Sequence, residues 1–365
     1  MTTSEEVFKL SAIELAKAVS ALRGVADNKR EFDVLKRTFV PTGQIERVDQ
    51  ILKGLSQEDE FAIFCRVMGT CKSISRIGQS PILDSLEIAP DFLASFRPGV
   101  SVDGLDVDEV DVTYNCLVEV KSSSKPKFKI SGRDLKARQL FASRFGLPLV
   151  FAIRFTSFGE HTLWILFTAK ELEARGGKIH CTDLPQSISP ALFNDYGLHT
   201  HPNFRLVHNY DTTAATTTIT HAQFGALTHT FIVASNCDPI EVPTSFAGLV
   251  NVLFHSFDLQ VERIQQEGRM TGVIYNVGNQ MRLLSDLVYG CNYLACDENG
   301  DQAFDAGRVI ARLDSESKPA LFDRRMIEEV VSWLNRQSEI FFKIGIASGQ
   351  GAQTLRLKNL LRVAS

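Results

Sequence analysis

The spacing of apolar residues changes along the chain, and that change limits the fold more than any other feature. Up to about Gly69 they recur at helical spacing: Val7, Leu10, Ile13, Leu15, Ala18, Val19 and Leu22, then Phe32, Leu35 and Phe39, then Ile51, Leu55, Phe61, Phe64, Val67 and Met68. Three or four helices are expected there. The last should run from about Gln57 to Gly69 behind the capping-box-like pair Ser56 and Asp59. Between Pro81 and Phe167 the apolar residues instead form short runs: Phe92–Ala94, Val110–Tyr114, Cys116–Val120, Leu149–Ile153 and Leu163–Phe167. These read as strands. One helix interrupts them, from about Ser131 to Phe145, with Leu135, Leu140, Phe141 and Phe145 on one side and Gly146-Leu147-Pro148 as its stop. Strand, strand, helix, strand, strand specifies an α/β core.

From about Glu171 to Arg205 the chain is richer in Gly, Pro, Ser and Asn, which predicts a linker region over 171–204. Thr212 to Thr220 reads as a strand or a linker. Beyond it come β-like segments, Phe231–Val233 and Val273–Tyr275, and two helices, about Phe246 to Gln266 and Leu321 to Phe342. Asp297-Glu298-Asn299-Gly300-Asp301 resembles a hairpin turn. The expected organisation is an N-terminal helical segment (1–55), an α/β domain (56–170) and an α+β C-terminal domain (205–365). At 365 residues such a chain buries its cores without staples.

The seven cysteines are odd in number and form no C-x-x-C pair, so neither a disulfide framework nor a zinc knuckle is expected. The first residues, Met1-Thr2-Thr3-Ser4-Glu5-Glu6, are acidic with no apolar core, and no window approaches the length of a membrane span. A cytoplasmic protein with reduced thiols and no membrane partner is expected. His199-Thr200-His201, with His208 nearby, lacks a third ligand at diagnostic spacing and reads as a loop pair. No phosphate-cradling glycine loop occurs.

Chemistry concentrates in Leu117-Val118-Glu119-Val120-Lys121. Strand periodicity puts Glu119 and Lys121 on one face and Val118 and Val120 on the other. A carboxylate so placed ligates Mg²⁺, and the Lys ammonium orients a water or stabilises charge developing on a phosphate. Acid-x-Lys also occurs at Asp27, Asp134 and Glu316, but only the copy at Glu119 follows a buried-strand pattern.

In this context the sequence resembles the PD-(D/E)xK nuclease superfamily, especially archaeal Holliday-junction-resolvase-like and restriction-endonuclease-like domains, over about residues 55–170. The likeness rests on Pro90-Asp91-Phe92-Leu93-Ala94, on Val118-Glu119-Val120-Lys121, and on Gly132-Arg133-Asp134-Leu135 leading through Phe141-Ala142-Ser143-Arg144-Phe145-Gly146-Leu147-Pro148 to Phe151-Ala152-Ile153. It implies a restriction-endonuclease-like core, a mixed sheet flanked by helices. It further implies that Glu119 is a metal ligand, Lys121 the catalytic lysine, and the Val120 carbonyl part of the metal shell. Two residues compete for the first acid. Asp91 follows a proline as in the family but requires a long insertion before Glu119, whereas a hairpin turn near Asn115 would set Asp111 opposite Glu119. Glu60 is the candidate for the acid that some members carry on the preceding helix.

Residues 121–144 carry eight bases against the single acid Asp134, a local charge of +7 that leaves the rest of the chain at −11. Lys125, Lys127, Lys129, Arg133, Lys136 and Arg138 are therefore the expected phosphate contacts. The stretch with Asp103, Asp106, Asp108, Glu109 and Asp111 is acidic and would repel DNA or cover the site. Two carboxylates meeting at one point repel unless a cation lies between them, so an empty site should show a raised carboxyl pKa that Mg²⁺ or Mn²⁺ reverses. The expected activity is metal-dependent DNA cleavage in prokaryotic defence or DNA repair, with RNA left open as a substrate. The protein would act as a homodimer or as a subunit of a larger complex assembled through its C-terminal half. The alternative is an inactive nuclease fold that binds nucleic acid or a protein partner.

Overall fold

The computed structural model describes residues 11–22, 26, 29–78, 87–97, 113–156, 162–201, 204–214, 220–234, 238–294, 306, 309–310 and 321–346. Three helices come first: α1 (Ala12–Leu22), α2 (Lys29–Phe39) and α3 (Ile45–Met68). Leu15, Ala16 and Val19 of α1 pack with Phe32, Val48 and Leu52 in a cluster of their own. The break expected at Ser56 is absent, because Val48 and Leu52 already bury the preceding turns and α3 runs through as one helix. Asp59 is no cap residue; it pairs with Arg76. From Phe61 to Met68 every residue but Arg66 is buried, so this part of α3 is covered on nearly all sides. Gly69, at φ +70°, ends the helix in the left-handed conformation that glycine adopts without strain.

A five-stranded mixed sheet follows, built from β1 (Cys71–Arg76), β2 (Phe92–Phe96), β3 (Tyr114–Ser123), β5 (Leu149–Phe155) and β6 (Leu163–Thr168) in the order β1-β2-β3-β5-β6. The short β4 (Lys127–Lys129) and helix α4 (Gly132–Arg144) lie between β3 and β5, which pair in parallel; the other neighbours are antiparallel. Ser131 caps α4 by accepting from the Asp134 N–H at 3.1 Å, and Gly146 at φ +63° follows its end. This mixed α/β arrangement, a sheet flanked by helices, is the core that the nuclease resemblance implies.

β3 is one strand passing straight through Asn115, which pairs with Ser95. The hairpin turn expected at Asn115 does not form, because Tyr114 and Cys116 are both buried as consecutive members of one strand face. Residues 98–112, with Asp103, Asp106, Asp108, Glu109 and Asp111, lie outside the described residues.

Residues 171–204, expected as a linker, hold regular structure: α5 (Ala169–Ala174), β7 (Lys178–His180), a 3₁₀ turn, α6 (Ser189–Leu192) and β8 (Tyr196–Thr200). His199 is thus a strand residue. The second half comprises β9 (Arg205–Asp211), β10 (Thr220–His221), β11 (Gly225–Val233), β12 (Ile240–Glu241), α7 (Thr244–His255), β13 (Gln260–Glu267), β14 (Met270–Asn276), β15 (Met281–Leu283), α8 (Leu284–Leu294), α9 (Arg324–Gln337) and β16 (Phe341–Gly345). Both long helices expected there are shorter. Phe246–Gln266 splits after His255 into a helix and the edge strand β13, and Leu321–Phe342 ends at Gln337 before β16. The hairpin expected at Asp297–Asp301 lies outside the described residues. No described helix is long and apolar enough to cross a membrane.

One apolar cluster joins the two halves. Phe61, Phe64, Val118, Val120 and Leu166 share it with Leu253, Phe254, Val288 and Val330. The opposite sheet face, with Leu117, Phe151, Ile153 and Phe167, packs against Leu135 and Ala142 of α4.

Candidate metal and nucleic-acid site

The strand register fixes the site. Phe92 pairs with Val118 in antiparallel sense, so the residue before β2, Asp91, falls beside Glu119 and Val120. Asp91 Oδ2 accepts a hydrogen bond from the Val120 N–H at 2.7 Å, and the Asp91 carbonyl accepts from Ile77 N at 2.9 Å. Asp91 is 5% exposed. Its carboxylate takes the place of the next ladder partner: in this register Val120 lies opposite Pro90, two residues before β2 begins.

Glu119 is only 1% exposed and faces away from the cluster that Val118 and Val120 enter. Its Oε1 lies 2.5 Å from Lys121 Nζ and 2.7 Å from Arg138 Nε. The buried Oε2 has no hydrogen-bond partner among the described residues. Glu119 and Lys121 therefore share one face, as strand periodicity requires.

Helix α3 adds acids at the same end of the sheet. Glu58 receives Arg76 NH1 at 3.0 Å, and Arg76, whose other terminal nitrogen pairs with Asp59, also lies over the Phe92 ring. Burial, then the charge of Asp91, pushes the Glu58 carboxyl up to about 7, against the opposing pull of Arg76 and Lys121. Burial is the larger cause, so this shift is not the repulsion between two converging metal ligands expected from the sequence, and Glu58 is not among the acids that the sequence singles out. Glu60, the residue anticipated on this helix, is engaged elsewhere: Arg154 NH2 lies 2.8 Å from its Oε2, and the Tyr289 hydroxyl donates to Oε1 at 3.2 Å. Residues two apart on a helix do not share a face, which explains why Glu58 pairs with Arg76 on β1 while Glu60 pairs with Arg154 on β5.

Lys125, Lys127, Lys129, Arg133 and Lys136 are exposed on the β3–β4 turn, β4 and α4. Arg138 departs from that group. Its side chain is 12% exposed and turned onto Glu119, with NH1 donating to the Asp134 carbonyl at 3.2 Å. Asp111 lies outside the described residues, and the turn that would have set it opposite Glu119 is absent.

Among the described residues no three His, Cys, Asp or Glu side chains form a ready metal cage. Two of the acids, Asp91 and Glu119, carry the oxygen donors that a hard cation takes, and Glu119 Oε2 is buried without a partner among the described residues. Cys65, Cys71, Cys116, Cys181 and Cys291 are free thiols.

Sequence reasoning did not single out Glu58 or Arg76, and did not anticipate that Arg138 turns onto Glu119. The run Glu58-Asp59-Glu60 marks the place, but a helix covered on nearly all sides has no readable polar face to say which acid points to the sheet.

No protein-family model matches this chain. No curated protein matches it. Among solved structures, it is similar to Hjc, a Holliday junction resolvase from Archaeoglobus fulgidus, with 18% identity over 36% of this chain and 91% of that one, at a TM-score of 0.25. At that score the likeness adds nothing to the strand order and register described above.

Proposed function

We propose that this chain is a Mg²⁺- or Mn²⁺-dependent nuclease that hydrolyses DNA phosphodiester bonds. The observation that carries the reading is the Asp91 carboxylate bonded to the Val120 N–H, next to the Glu119–Lys121 pair on one strand. Asp91, Glu119 and the Val120 carbonyl hold the metal, with Glu58 as an additional acid from α3. A divalent cation bound there supplies an activated water and neutralises phosphate charge. Lys121, half-exposed beside Glu119, orients the attacking water or stabilises the phosphate oxygens. Lys125, Lys127, Lys129, Arg133 and Lys136 track the nucleic-acid backbone. A cytoplasmic role in prokaryotic defence or DNA repair, as a homodimer or as part of a larger complex, fits a nuclease that carries a second half of this size.

The test is cleavage of linear, circular, branched and single-stranded DNA, and of RNA, with Mg²⁺ or EDTA. Wild type should cut DNA only with metal, and Glu119→Gln and Lys121→Ala should each lose at least about 100-fold in rate. Cutting that persists in EDTA or in Glu119→Gln would overturn the reading. One observation favours the alternative of an inactive binding module: two cations already converge on a single oxygen of Glu119. Nucleic-acid binding without cleavage or metal binding would decide for it.

A further inference from the structure

Arg138 is the one base of the 121–138 segment that does not suit a phosphate contact. Its side chain is nearly buried, its Nε lies 2.7 Å from Glu119 Oε1, and no aligned hydrogen bond satisfies that Nε. The arrangement is an ion pair whose geometry is imperfect on both sides, because Glu119 Oε2 is also buried without a partner. Arg138 and Lys121 both lie against the same oxygen of this buried carboxylate, Lys121 at 2.5 Å and half-exposed, Arg138 on the buried side.

We propose that Arg138 is the resident counter-ion of the metal site, a positioning residue that holds Glu119 until a divalent cation displaces it. The inference rests on the metal-site reading above and adds a competitor to it. A guanidinium within 3 Å of a carboxylate opposes a dication approaching the same group, since like charges at that separation repel strongly in a water-poor site. Metal binding therefore includes the work of moving Arg138 off Oε1. The displaced guanidinium stays on α4 with the exposed Arg133 and Lys136, so metal entry adds a positive charge to the path where phosphates would lie.

The experiment is titration of the full chain with Mn²⁺ alone, free Mn²⁺ being read by electron paramagnetic resonance. Wild type, Arg138→Gln, Arg138→Lys and Glu119→Gln are compared. Arg138→Gln should bind Mn²⁺ about tenfold or more tighter than wild type, Arg138→Lys should stay within about threefold of wild type, and Glu119→Gln should lose the site. Equal or weaker binding by Arg138→Gln would overturn the inference while leaving the metal site in place. Absence of Mn²⁺ binding in every variant would overturn the site reading itself, and this inference with it. Should Arg138→Gln fail to fold, wild type decides: the Arg138 Nε–H proton resonance, assigned by its loss in Arg138→Lys, should shift on saturation with Mg²⁺. An unchanged resonance would count against displacement.

Discussion

Glu119, Asp91 and Glu58 share one end of a sheet but are held in three different ways. Glu119 is held by two cations, Asp91 by a backbone N–H, and Glu58 by Arg76. The Asp91 bond makes a structural prediction separate from catalysis. Truncation to Ala leaves the buried Val120 N–H without its acceptor, which costs about 1–3 kcal/mol. A urea melt of Asp91→Ala should show that loss, whereas a melt unchanged within about 0.5 kcal/mol would mean water replaces the carboxylate. At this scale the placement was legible where period and motif agree: Glu119 and Lys121 share a strand face, and Asp91 lies beside them. It was not legible at Arg138, because a basic residue on a basic helix looks like a phosphate contact until helix and strand are packed together. Nothing in the local pattern says that α4 turns this side chain onto β3.

Helix α3 joins the site to the rest of the protein. Phe64 is 3% exposed, with its ring 4.7 Å from Phe193, 5.3 Å from Tyr289 and 6.2 Å from Trp164. Phe64→Ala should therefore destabilise the fold by about 3–5 kcal/mol, measurable by chemical denaturation. A loss below about 1 kcal/mol would show that the neighbouring rings collapse into the space. Element type was legible wherever the apolar period was clean: β2, β5, β6 and α4 fall where expected, α4 because Ser131 and Gly146 mark both ends. Boundaries failed where tertiary packing overrides a local signal. Ser56 and Asp59 look like a helix start, yet the helix was already under way and stable through Val48 and Leu52. The stretch after His255 keeps apolar residues, Val261 and Ile264, but as exposed positions on the edge strand β13 rather than on a helix face.

At the scale of the whole molecule, the main apolar cluster crosses the boundary that composition suggested near 170–205, so polar, Gly- and Pro-rich sequence marked short elements rather than a tether. The buried chain Trp164 to Tyr289 to Glu60 also crosses it, with Trp164 Nε1 donating to the Tyr289 hydroxyl at 2.8 Å. The second half carries its own pH signature. Burial, then the nearby His255, pushes His208 down to about 3 from an ordinary 6.5, in a cluster with Tyr210 and Tyr275. The unfolded chain takes up a proton near 6.5 and the folded one does not until about 3. The stabilisation from neutral His208 is thus complete above 6.5 and lost progressively as pH falls through that window. Denaturation midpoints measured from pH 7 to pH 4 should fall, and His208→Phe should flatten the fall; identical slopes would assign the acid sensitivity elsewhere. The central claim is that a divalent cation is held between Asp91 and Glu119. Its most direct test is anomalous diffraction from crystals grown or soaked with Mn²⁺: a peak in contact with both carboxylates is the predicted result, and Mn²⁺ bound only elsewhere, with Arg138 still on Glu119, would contradict it.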